Sequence, residues 1–151
     1  MKEKWLRAGK IALIVLGVLL FLFLIGFGRS FIAVWEIDRI TLKACDEQGT
    51  KTVELTDGEV FGFATIYALS RHAGTVTAEG CDHMFDIDIY MKDGTWLSIT
   101  DDQSRGHQGV RMKVYGTEYD SFWVDNVLLV EYIKILVHNH GLLWDTFSDC
   151  C

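Results

Sequence analysis

Proline is absent from this chain of 151 residues, and no segment is low in complexity or rich in glycine and serine. The sequence therefore contains no proline-rich or glycine–serine linker that would separate folded modules. It also shows no internal repeat. The part that follows residue 28 is long enough for one domain with one hydrophobic core, but not for two.

Motifs of well-known catalytic and metal sites are missing as well. There is no Gly-x-Ser-x-Gly elbow of a hydrolase, no Asp-x-Asp-x-Asp-Gly calcium loop, and no zinc-type spacing among the five histidines. Asp102, Ser104 and His107 lie close in sequence, but such proximity does not make a catalytic triad. We therefore expect no cofactor and no catalytic activity, and a hydrolytic enzyme is the least supported alternative.

A single long apolar run lies near the N-terminus. It extends from Ile11 to Gly28 without a charged residue, and about 18 residues at a rise of about 1.5 Å can cross a hydrocarbon core of about 30 Å. Four basic residues precede the run and only Arg29 follows it closely, so the positive-inside rule predicts a cytoplasmic N-terminus. The predicted division is a cytoplasmic tail (1–10), a transmembrane signal anchor (11–28) and an extracytoplasmic domain (29–151).

A cleaved signal peptide is the alternative to a retained anchor. Gly26 and Gly28 form a small-x-small pair before Arg29, as cleavage sites do. The length of the apolar run and the bulky Phe27 between the two glycines favour retention.

Charge divides at the predicted membrane. Residues 1–28 contain four basic residues and one acidic residue, a net charge of +3. The whole chain has a net charge of −7, so the remaining residues carry a net charge of −10. An acidic domain repels phosphate backbones, which argues against nucleic acid as a partner. The expected partners are the membrane, crossed once, and an envelope or membrane protein.

Alternation of apolar and polar residues predicts the strands. A first hairpin turns at residues 46–49, where Gly49 can adopt a positive φ. A second hairpin covers 85–100, and a three-residue loop at 92–94 places its apolar residues on one face by pairing Ile89 with Leu97. Two more strands follow, around Met112 and at 122–124.

Two helices complete the predicted domain. A capping box at 56–59 begins the first helix, which should end near His72 with Gly74 as its cap. The second should run from Asn126 to His140, capped by Asp125. The order β-β-α-β-β-β-β-α predicts an α+β fold, an antiparallel sheet with two helices on one face.

The polar face of the second hairpin carries two aromatic residues, Tyr90 and Trp96. Aromatic anchors dominate interface energetics, so an uncovered face here would be a protein contact. The alternative is a layer covered by the Trp35 region or by the C-terminal tail. A polar loop follows, and such loops often carry function. The predicted function is a protein- or peptide-binding accessory or sensing module. Its candidate binding residues are Tyr90, Trp96, Gln103, Arg105 and His107.

A cluster of carboxylates supports an alternative function, a domain that responds to divalent cations. Hard cations prefer several carboxylate oxygens. The candidate ligands are Asp82, Asp86, Asp88, Asp101 and Asp102. In the simpler interpretation, Asp86 and Asp88 face Arg111 and Lys113 across neighbouring strands.

The four cysteines fit an oxidising compartment. Cys45 and Cys81 flank predicted strands and are candidates for a disulfide, although sequence cannot test the Cα separation that it requires. Cys150 and Cys151 end the chain, and they could link to a partner or pair with an upstream cysteine.

Overall fold

The computed structural model describes residues 2–27, 32–75, 82–101, 111–116, 119–145 and 147–148. They form an α+β fold with a seven-stranded antiparallel sheet and three helices. The helices are α1 (Lys2–Phe27), α2 (Asp57–Tyr67) and α3 (Val127–Asn139). The strands are β1 (Ile37–Asp46), β2 (Gly49–Glu54), β3 (Arg71–Thr75), β4 (Asp82–His83), β5 (Asp86–Met91), β6 (Trp96–Asp101), β7 (Arg111–Gly116), β8 (Tyr119–Asp125) and β9 (Phe147–Ser148). The large sheet has the order β2-β1-β5-β6-β7-β8-β3, and β4 pairs with β9 separately.

Helix α1 spans 26 residues, and its side chains are described over residues 9–21, all of them exposed. Large apolar side chains there are mostly accessible, including Leu13 at 71% and Phe21 at 62%. Over the described residues, no helix combines the length and the hydropathy required to cross a membrane.

Both predicted hairpins are confirmed. In the first, Leu42 lies opposite Val53 and Gly49 adopts a φ of 136°. In the second, Ile89 lies opposite Leu97, and the amide of Met91 donates to the carbonyl of Thr95. The residues between these two, 92–94, form the predicted three-residue loop. The register therefore follows from the need to keep all apolar residues of the hairpin on one face.

The core lies between that face of the large sheet and helices α2 and α3. Buried residues of all three belong to one apolar cluster, so both helices pack on the same side as predicted. Residues of this cluster with no accessible surface include Ile40, Leu42, Phe63, Phe85, Ile87, Ile89, Ile99, Val114, Val124 and Ile133.

The first helix of the domain ends earlier than predicted. Helix α2 stops at Tyr67, and the chain then enters edge strand β3, so His72 and Gly74 lie in a strand and cap no helix. Strand β3 pairs with β8 and its residues are exposed or half-buried. The segment lacks the apolar alternation that predicted the other strands, because an edge strand with little buried surface does not require it.

Asn126, rather than the predicted Asp125, caps helix α3. Its side-chain oxygen accepts a hydrogen bond from the amide of Leu129 at 3.0 Å. Its amide nitrogen donates to the carbonyl of Ile66 at 2.8 Å and to the hydroxyl of Ser70 at 2.9 Å. One buried side chain thus begins α3 and fixes the end of α2 beside it.

Glu59 links the N-terminal end of α2 to the C-terminal end of α3. The backbone amide and the hydroxyl of Thr56 both donate to Glu59 Oε2, which confirms the predicted capping box. His140 Nε2 lies 3.1 Å from Glu59 Oε1. Burial alone would raise the pKa of Glu59, but the hydrogen bonds from Thr56 and the nearby His140 outweigh it and hold that pKa below its usual value.

Candidate functional site

The sheet face opposite α2 and α3, here called the open face, carries polar and aromatic side chains. Asp88, Ser98 and Tyr115 lie in one row across β5, β6 and β7, and Tyr90 lies opposite Trp96 in the next row. Residues opposite each other share a face, and successive residues alternate between faces. These five side chains therefore point away from the core, which their sequence neighbours fill.

Four of these residues, Asp88, Tyr90, Trp96 and Tyr115, line a groove of about 390 Å³, here called the aromatic groove. All four are half-buried. The rings of Trp96 and Tyr115 meet edge to face at 90°, with centroids 5.9 Å apart. Such a pair holds its rings in a defined orientation.

Two cations of the chain border the groove. The guanidinium of Arg39 lies 4.5 Å from the centre of the Tyr90 ring, and the Lys113 ammonium lies 5.0 Å from that of Tyr115. Both distances lie within the reach of about 6 Å over which an aromatic face attracts a cation.

Ser98, on β6, lies between Asp88 and Tyr115 in register. It is only 1% exposed, and its hydroxyl has no hydrogen-bond partner among the described residues. A buried hydroxyl without a partner is uncommon in native proteins, because it loses its water without compensation.

Gly116 ends β7 where this strand passes Trp96. A Cβ atom at Gly116 would overlap the carbonyl oxygen of Trp96. The absence of a side chain therefore allows β7 to approach β6 closely beside the groove, which positions Trp96 and Tyr115 relative to each other.

The structure describes only part of the predicted binding set. Tyr90 and Trp96 are directly opposite each other, whereas Gln103, Arg105 and His107 lie outside the described residues. The sequence-based candidates omitted Tyr115, although its alternation with Val114 placed it on the polar face of its strand.

The segment around Trp35 was one of two candidates, with the C-terminal tail, for a layer covering Tyr90 and Trp96. Lys92 Nζ donates to the carbonyl of Trp35 at 2.8 Å, which attaches this segment to the hairpin loop. The Trp35 side chain is nevertheless 71% exposed, so it supplies little cover.

The carboxylates proposed as cation ligands lie on different faces. Asp86 and Asp88 share the open face, whereas Asp101 is opposite Met112 on the core side. There, Asp101 Oδ1 accepts hydrogen bonds from the backbone amides of Met84 at 2.7 Å and Phe85 at 3.3 Å. No cluster of three or more His, Cys, Asp or Glu suited to a metal ion occurs within the described ranges.

The remaining two candidate ligands give no further geometry. The backbone of Asp82 belongs to β4 in the smaller sheet, and Asp102 lies outside the described residues. The expected pairing of Asp86 and Asp88 with Arg111 and Lys113 across neighbouring strands was wrong about the strands, because β6 separates β5 from β7. Lys43, on β1, is directly opposite Asp86 instead.

Cys45 lies half-buried near the end of β1. Burial raises its pKa, and the nearby carboxylates of Asp145 and Asp46 raise it further. Cys81, Cys150 and Cys151 lie outside the described residues, so the Cys45–Cys81 disulfide remains a prediction.

Comparison of the chain with models of protein families, with curated proteins and with solved structures finds no match. The functional argument therefore depends on the residues and contacts of the chain itself.

Proposed function

We propose that this chain is a single-pass membrane protein with a cytoplasmic N-terminus, whose extracytoplasmic domain binds a protein or peptide through the aromatic groove. In this proposal the domain is an accessory or sensing module without a catalytic step. Its acidic character and its short connection to the predicted anchor favour a partner at or near the membrane.

Support for the anchor comes from α1. Its apolar side chains between Ile11 and Phe21 are more than half exposed in the isolated chain, and a lipid environment would remove them from water. In sealed right-side-out vesicles, added protease should remove a C-terminal tag and spare an N-terminal one. Digestion of the N-terminal tag, or protection of the C-terminal one, would contradict this topology.

The observation that carries the binding proposal is the aromatic groove on the sheet face that α2 and α3 leave uncovered. Three aromatic rings and one carboxylate converge there, and each of these side chains is partly accessible to solvent. Aromatic residues near the centre of an interface contribute most of its binding free energy. We expect Trp96 to be such a residue.

The test uses the full-length protein purified in mild detergent, with mass spectrometry of its companions. Trp96→Ala is compared with Ile135→Ala, because Ile135 is 54% exposed on helix α3 and far from the open face in the fold. We expect a stoichiometric companion that Trp96→Ala loses and Ile135→Ala retains, at similar melting temperatures. Retention by Trp96→Ala, or purification without any companion, would refute the proposal.

A domain that responds to divalent cations remains the second candidate, supported by Asp86 and Asp88 on one strand face. Asp101 is a weaker candidate ligand, because its carboxylate already accepts two backbone hydrogen bonds. Binding of an ion to the native state would raise the melting temperature in millimolar calcium, and a chelator would reverse the rise. An unchanged melting temperature would exclude this function.

A further inference from the structure

From the geometry of the aromatic groove we infer the class of group that it binds: a basic side chain, lysine or arginine, presented by a peptide. This inference rests on the proposed function and extends it from a surface to a ligand chemistry. Two features of the groove support it: its rings and its carboxylate.

The rings of Tyr90, Trp96 and Tyr115 surround the groove on the open face. The face of an aromatic ring carries partial negative charge, and it attracts ammonium and guanidinium groups. At the groove, two cations of the chain already use this property, because Arg39 lies over the Tyr90 ring and Lys113 lies over the Tyr115 ring. A ligand cation would share these rings with Arg39 and Lys113, whose charges oppose its entry.

Among the described residues that line the groove, Asp88 alone carries a formal charge. Over the residues that the structure describes, its carboxylate forms no hydrogen bond or ion pair. A half-buried carboxylate without a partner has lost part of its hydration. A bound cation would provide this carboxylate with an ion-pair partner.

Ammonium and guanidinium groups are hydrogen-bond donors only, with three and five N–H bonds respectively. A basic side chain could therefore donate to the carboxylate of Asp88, which no apolar side chain could do.

The size of the groove and the charge of the domain agree with a single side chain on a peptide. Its 390 Å³ is near the lower end of the range of about 300–1,000 Å³ found for ligand sites. The −10 charge of residues 29–151 would steer basic segments toward the domain.

The test is a nuclear magnetic resonance titration of the full-length protein in detergent micelles, observing the indole N–H signal of Trp96. The Trp96→Phe variant assigns that signal. The probes are three blocked pentapeptides, Ala-Ala-X-Ala-Ala, in which X is lysine, norleucine or glutamate. We expect the lysine peptide to bind at least tenfold more tightly than the norleucine peptide, and the glutamate peptide most weakly.

Two variants test the carboxylate and the sign of the charge. Asp88→Asn should weaken binding of the lysine peptide at least tenfold, while its binding of the norleucine peptide stays the same. Arg39→Gln removes an exposed positive charge at the border and should strengthen lysine binding, or leave it unchanged. Circular dichroism melting of both variants excludes a loss of folding as the cause.

Equal binding of the lysine and norleucine peptides would overturn the inference and leave the proposed function intact, because the groove would still bind a peptide. Preference for the glutamate peptide, or no shift of the Trp96 signal with any probe, would also overturn it. In the last case, the companion-protein experiment decides separately whether the proposed function fails too.

Discussion

The two faces of the large sheet carry different side chains, and around the aromatic groove they also differ in burial. On the core face, Ile87, Ile89 and Ile99 have no accessible surface. On the open face, the alternating residues of the same strands include Asp88, Tyr90 and Trp96, which are half-buried. The same backbone therefore serves two purposes: one face provides the stability of the domain, and the other holds aromatic and charged groups at fixed spacings.

This difference implies that stability and binding can be changed separately. Removal of a fully buried methyl or methylene group leaves a cavity, whereas truncation of a half-exposed ring mostly leaves space that water can fill. The predictions below test this separation in order of expected effect.

The largest effect is expected for Ile89, whose sequence neighbour Tyr90 provides the matched comparison on the opposite face. Ile89→Ala should lower the free energy of unfolding by about 3 kcal/mol. Tyr90→Ala should lower it by about 1 kcal/mol or less, because the ring is half-buried and its contact with Arg39 is partly solvated. Urea denaturation measures both, and equal losses would show that the open face also acts as core.

A smaller effect is expected for a substitution of Gly116, which should change both the stability of the domain and the geometry of the groove. Gly116→Ala should cost about 2 kcal/mol, since its Cβ would overlap the Trp96 carbonyl and push β7 from β6. It should also weaken peptide binding, because the rings of Trp96 and Tyr115 would separate.

Gly58→Ala is the control for this change. Nothing lies within 4 Å of a Cβ at Gly58, and alanine favours the helix there. Unfolding by urea and the peptide titration are measured for both variants. Normal binding by Gly116→Ala would contradict the positioning role of the glycine.

The smallest effect on stability is expected for a substitution of Glu59, which lies among the helices and not on the open face. Because its pKa is lowered in the fold, its contribution to stability is complete above the ordinary carboxyl pKa and is lost as the pH falls through the lowered value. Glu59→Gln should therefore cost about 1 kcal/mol at neutral pH, and this difference should shrink in acid.

Peptide binding at neutral pH should be unchanged in Glu59→Gln. Glu131→Gln is the control, because its exposed ion pair with Lys134 contributes little. A pH-independent loss for Glu59→Gln would show that removal of the carboxylate charge is not its cause.

Sequence patterns predicted the parts of the fold in which a buried face imposes periodicity. The register of Ile89 with Leu97 followed from this requirement alone, and the Thr56–Glu59 capping box followed from local hydrogen bonding. The cap of α3 was misplaced by one residue, because Asn126 and Asp125 are both good caps. Asn126 is the cap because its side chain also donates to Ile66 and Ser70, and the position of these two residues depends on the tertiary structure.

The aromatic groove could be predicted only in part. Alternation placed Tyr90 and Trp96 on one face, but the order of the strands in the sheet, which brings Tyr115 beside Trp96, depends on long-range pairing. The edge strand β3 gave no signal, since its residues bury too little surface to require an apolar pattern.

The most direct test of the account is to ask which face of the domain touches its partner in cells. A photo-reactive benzoylphenylalanine is placed at Tyr115 in the aromatic groove or, separately, at Leu128, which is 59% exposed on α3. The account predicts a covalent adduct with a specific protein from position 115 and none from position 128. An adduct from position 128 alone would show that the partner binds the helical side, and it would contradict the assignment of binding to the open face.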